Sequence, residues 1–150
     1  MGSYRGRGTA AAALCVALVV AAPPSARAAV RDDAPSAVTL PSGELSTEAI
    51  SIRKVLEVYV RAVEAKDLQM FRTVKPNLSE EEEKRARAAF KSIQSQVVKM
   101  NVLSLDVKEG KATVKVSRRD TINGSIVSSF PQTFSLAKET AGWMIQDIGR

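Results

Sequence analysis

Histidine is missing from all 150 residues, and cysteine occurs once, at Cys15. Those two shortages exclude Cys-His nucleophilic machinery, internal disulfides and the commonest transition-metal ligand sets, so neither a metal nor a cofactor is expected. Aromatic residues are only 5% of the chain. With no run of five basic residues interleaved with aromatics, the sequence carries no nucleic-acid-binding signature. Long apolar runs are scarce too. The longest apolar run, Ala10 to Ala22, holds 13 residues, whereas a helix crossing a bilayer core needs roughly 20.

What that stretch does resemble is the core of an export signal. Arg5 and Arg7 form a basic head, the Ala10–Ala22 run follows, and after Pro23-Pro24 comes Ala26-Arg27-Ala28, an A-x-A cleavage site. Residues 1–28 are therefore expected to be a signal peptide cleaved after Ala28, delivering a secreted or periplasmic protein with no stable membrane insertion afterwards. Leu14, immediately before Cys15, does not suit a lipoprotein site, and cleavage leaves a mature chain without cysteine. The formal charge of +6 also falls, because Arg5, Arg7 and Arg27 depart with no acidic residue: 22 basic residues become 19 against 16 carboxylates, or +3. That is a modest solubility charge.

Residues 29–46 contain Pro35, Pro41 and Gly43 with no sustained period, which reads as a flexible linker. Helical spacing then begins, with Thr47 as the expected N-cap and Glu48 in the first turn. Ile52, Val55, Leu56, Tyr59, Ala62 and Val63 recur at three- and four-residue intervals and define one apolar face, with Glu57 and Arg61 paired on the other. Asp67 caps a short second helix over Leu68–Val74, which Pro76 ends. Ser79 and Glu82 have capping-box spacing, and Glu80 to Glu83 load the positive end of a third helix running to about Gln94. This helix is expected to bury Ala86, Ala89, Phe90 and Ile93. Its four adjacent glutamates fan around the helix and do not converge on one cation.

From Ser95 onward the period changes to two. Val98, Met100 and Val102 fall on one parity and Leu103, Leu105 and Val107 on the other, so a bulge near Asn101 is expected. Glu109-Gly110 and Asn123-Gly124 are hairpin turns. Between them Ala112, Val114 and Val116 face inward while Thr113, Lys115 and Ser117 face outward. The next strand sets Ile126, Ser128, Phe130, Gln132, Phe134 and Leu136 on one face. Pro131, on the opposite parity, marks an edge or a kink. Thr140-Ala141-Gly142 turns into a final strand from Trp143.

This order, with Asp67-Leu68, Pro76-Asn77-Leu78-Ser79, Gly110-Lys111-Ala112-Thr113-Val114 and Gly142-Trp143-Met144-Ile145-Gln146-Asp147-Ile148, resembles the nuclear-transport-factor-2-like (cystatin-like cone) superfamily, in the form of a secreted bacterial member. The resemblance covers roughly Glu48 to Arg150. It implies an α+β domain over residues 47–150, with three N-terminal helices packed on a strongly curved four-stranded antiparallel sheet around a pocket. It also implies frequent homodimerisation through the outer sheet face. The superfamily includes polyketide cyclases, ketosteroid isomerases and small binding domains. Its enzymes place an aspartate base, tyrosine or histidine donors, or an Asp-Arg-Asp relay inside the cone.

The candidates for a ligand site are Tyr59, Arg118, Asp120, Gln132 and Trp143. Tyr59 is the only phenol of the mature chain, and Arg118 and Asp120 share the inward parity of Val116. Their opposite charges suit a salt bridge at the cone mouth, which holds an aspartate ionised and inert. Alternatively Arg118 meets an anionic ligand that Asp120 orients, or Asp120 acts as a base. Gln132 is an inward amide that needs partners. Asp147 shares the parity of Trp143 but lies where that pattern gives way to Ile148, so a bulge could turn it to solvent. The sequence thus points to a non-catalytic exported domain that binds a small apolar or weakly anionic ligand or a protein partner, with no catalytic residue assigned. The alternatives are a cone-fold lyase or isomerase with a pocket aspartate, and a dimerisation scaffold.

Overall fold

The structure, a computed structural model, describes residues 38–39 and 46–150. The expected signal peptide and all of residues 29–46 except Val38, Thr39 and Ser46 lie outside them.

Three helices precede a sheet: α1 (Thr47–Ala65), α2 (Leu68–Val74) and α3 (Glu80–Ser92), then β2 (Gln96–Lys108), β3 (Lys111–Ile122), β4 (Ile126–Glu139) and β5 (Gly142–Gly149), with a short β1 (Val38–Thr39) ahead of them all. The sheet order is β1-β2-β3-β4-β5. Each neighbouring pair from β2 to β5 is antiparallel, whereas β1 joins the edge in parallel through Val38↔Met100 and Thr39↔Asn101. The expected four strands are thus five. The correction falls inside the supposed linker, where Val38 is fully buried. Its side chain adds a hydrophobic contact to the edge of the sheet.

Capping chemistry places the helices. The cap of α1 is Ser46, one residue before the expected Thr47, and its side chain accepts from the Ala49 amide. Asp67 accepts from the Gln69 and Met70 amides at the start of α2, and Ser79 with Glu82 completes the capping box of α3. The surface pair on α1 is Arg53–Glu57 at 2.9 Å, in place of the expected Glu57–Arg61.

Buried Ile52, Leu56, Tyr59, Val60, Ala62 and Val63 of α1 meet the inner sheet residues Val98, Met100, Val114, Val116, Phe134, Leu136 and Ile145. Helix α3 does not join them. None of its residues is buried; Ala86 and Phe90 are half-buried, Ala89 is exposed, and Ile93, its C-cap, is half-buried. The capping box was legible locally, but a cap fixes where a helix starts, not what its apolar side rests on. Ion pairs near its N-terminus, Arg72–Glu83 and Lys75–Glu82, tie α3 to α2.

In the sheet, the bulge of β2 sits between Val102 and Ser104, two residues beyond Asn101. Glu109 and Gly110 take φ of 51° and 73°, and Asn123 and Gly124 the same pair of values, the left-handed geometry that tight hairpins require. Pro131 is tolerated because β5 pairs β4 only from Thr133 to Glu139, so at Pro131 that side of β4 has no neighbour to miss an N–H.

Candidate functional site

The inner face of β3 places Arg118 and Asp120 two residues apart, both buried, so their side chains point the same way. The guanidinium grips the carboxylate with a fork: Arg118 Nε donates to Asp120 Oδ1 at 2.7 Å and Nη2 to Oδ2 at 2.8 Å. Arg118 Nη1 donates to the Tyr59 hydroxyl at 3.0 Å and to Gln132 Oε1 at 3.3 Å. Gln96 Nε2 adds a bond to Asp120 Oδ2 at 2.8 Å. Among the described residues no buried side-chain nitrogen or oxygen lacks a partner, so this polar group is stably built into an apolar wall.

Each member is held by the fold around it. The Tyr59 ring packs against Phe71 and Phe134, with centroids 5.4 and 5.2 Å away. Gln132 stands in register with Val116, and Phe130 with Arg118. Phe130 is half-buried and has two cations near its ring, with the Arg118 and Arg150 guanidinium carbons 5.5 and 5.4 Å from its centre. Ser128, in register with Asp120, is exposed. An exposed stretch of β4 therefore borders the buried group.

Electrostatics follow from that packing. Burial pushes the Tyr59 phenol above its ordinary value, and the neighbouring Arg118 charge opposes this less strongly. Burial works against the Arg118 charge, but the Asp120 hydrogen bonds and the Tyr59 contact outweigh it, so the guanidinium is held above its usual value and stays charged.

Of the five expected site residues, four come together: Tyr59, Arg118, Asp120 and Gln132. Trp143 does not join them. It pairs with Lys138 on β4, eight residues from Phe130, or about 26 Å along the strand. There its indole Nε1 donates to Glu48 Oε2 at 2.5 Å, and Lys138 Nζ reaches Glu48 Oε1 at 2.5 Å. The Lys138 and Trp143 hydrogen bonds hold the Glu48 carboxyl below the usual range. Asp147 is exposed, because the register slips between Ser135↔Asp147 and Leu136↔Ile145 and turns it outward. Gln96 was missed, although its parity with Val98 and Met100 was readable. Phe130 was read only as an inward residue, since sequence spacing does not show two cations converging on it.

The site and fold define a class: an α+β cone in which helices cover one face of a largely antiparallel sheet that carries a buried Arg-Asp pair. Comparison with solved structures makes the class specific. The chain is similar to the Kfla4162 protein from Kribbella flavida (TM-score 0.59, 11% identity, covering 68% of this chain and 88% of that one). It is also similar to a nuclear-transport-factor-2-like protein of unknown function from Shewanella baltica (TM-score 0.53, 12% identity, 72% and 94%). A third similar structure is a candidate dehydratase of that family from Streptomyces avermitilis (TM-score 0.56, 8% identity, 69% and 95%). No protein-family model and no curated protein matches the sequence. The fold is that of the nuclear-transport-factor-2-like superfamily.

Proposed function

We propose that this protein is an exported, non-catalytic binding domain that holds a small apolar or weakly anionic ligand at the cone mouth, over Phe130 and beside Arg118. The observation that carries the reading is the state of Asp120: both carboxylate oxygens accept hydrogen bonds, two from Arg118 and one from Gln96. A general base needs a lone pair aimed at a substrate proton, and Asp120 has its oxygens turned to fixed donors. Asp147 faces solvent, turned outward by the register slip in β5. A lyase or isomerase reading therefore lacks a base among these candidates, and the dehydratase similarity concerns the fold alone.

Binding chemistry is better supplied. Tyr59 accepts from Arg118, leaving its own O–H to donate, while Phe130 offers an apolar surface flanked by positive charge. Export rests on residues 1–28. Native mass spectrometry of the mature protein purified from its own source tests the reading. We expect a chain beginning at Ala29 with a small non-covalent mass that is lost in Arg118→Gln. A ligand-free protein, or a ligand retained equally by that variant, overturns it.

A further inference from the structure

We infer that the outer face of the sheet carries a second binding site, unrelated to the cone mouth, for a phosphate- or sulfate-type oxyanion. A depression of about 350 Å³ on that face is lined by Thr39, Lys99, Asn101, Ser117, Arg119 and Ser129, all exposed, with buried Met100 at its floor. Its centre is the cross-strand pair Lys99↔Arg119, with Arg119 in turn opposite Ser129 and Asn101 opposite Ser117.

Two like charges placed directly opposite one another repel, and among the described residues no carboxylate pairs with either. Along β2 the first acid on the same face is Asp106, in register with Thr113 and roughly 23 Å from Lys99. The outward positions of β3 are Lys111, Thr113, Lys115, Ser117, Arg119 and Thr121, with no acid among them. The donors around the pair are those an oxyanion uses. Arg119 brings a planar fork, Lys99 a point charge, and Ser117, Ser129 and Thr39 bring hydroxyls. The depression falls in the size range of small-molecule sites. Self-association through this face would set each cationic pair against its copy, so charge complementarity selects an anion as the occupant.

The test follows backbone amide shifts of the mature chain at low ionic strength as inorganic phosphate is added, with chloride at matched ionic strength as control. A parallel arm measures co-sedimentation with phosphatidylglycerol vesicles against phosphatidylcholine vesicles. Wild type is compared with the double variant Lys99→Ala, Arg119→Ala and with Lys84→Ala, an exposed cation on α3. Saturable phosphate shifts around residues 99–101, 117–119 and 129, weakened about tenfold or more in the double variant and unchanged in Lys84→Ala, support a free oxyanion as the ligand. Sedimentation with anionic vesicles alone, showing the same dependence, assigns the chemistry to a lipid headgroup. If neither arm responds, or if Lys84→Ala weakens binding as much as the double variant, the site does not exist.

Discussion

Asp120 and Arg118 are each other's condition for being buried. Removing one partner strands the other charge in an apolar wall, so Asp120→Ala is expected to cost about 3–5 kcal/mol in urea unfolding. The apolar double variant Arg118→Met, Asp120→Leu is expected to recover most of that loss, the pattern of a coupled pair in a double-mutant cycle. Tyr59 sets a different limit. Its phenol is raised in the fold, first by burial, so the native state prefers the neutral form more strongly than the unfolded chain does. The resulting stability is full below the unfolded phenol value near 10 and is lost as pH rises toward the folded value. Tyr59→Phe should therefore flatten the alkaline limb of a stability profile measured from pH 7 to 11, while losing about 1 kcal/mol at neutral pH with the Arg118 hydrogen bond.

Among the elements, α1 and α3 show why an amphipathic pattern is not a packing assignment. Both carry apolar residues at helical spacing, but α1 buries Ile52 and Leu56 completely and α3 buries nothing. Leu56→Ala is expected to cost about 2–5 kcal/mol and Phe90→Ala under about 1 kcal/mol. Amide exchange should accordingly be faster along Arg85–Ser92 than along the middle of α1, because local opening of α3 breaks few buried contacts. A slow-exchanging α3 would show that its apolar side has a partner in solution. The strand elements were more legible, since inward Val98, Met100, Val102, Ala112, Val114 and Val116 and outward Thr113, Lys115 and Ser117 follow from period alone. The bulges were harder. A pattern break reveals that a strand must slip, but the position of the slip depends on the partner strand's register.

At the scale of the whole molecule, β1 joins residues 38–39 to the edge of the sheet. Val38 is fully enclosed, so a mature chain shortened to begin at Ser46 is expected to lose about 2 kcal/mol relative to one beginning at Ala29; equal urea midpoints would mean that β1 contributes nothing. The sequence by itself determined the caps of α2 and α3, the hairpins, the inward parity of β3 and the presence of Tyr59, Arg118, Asp120 and Gln132 on surfaces that had to meet. Local hydrogen bonding and side-chain periodicity act over a few residues and are written in residue order. Only the tertiary structure decided that Trp143 pairs with Glu48 far from Arg118, that Val38 closes the sheet edge and that Lys99 stands beside Arg119, because those distances depend on how separate elements are registered in space.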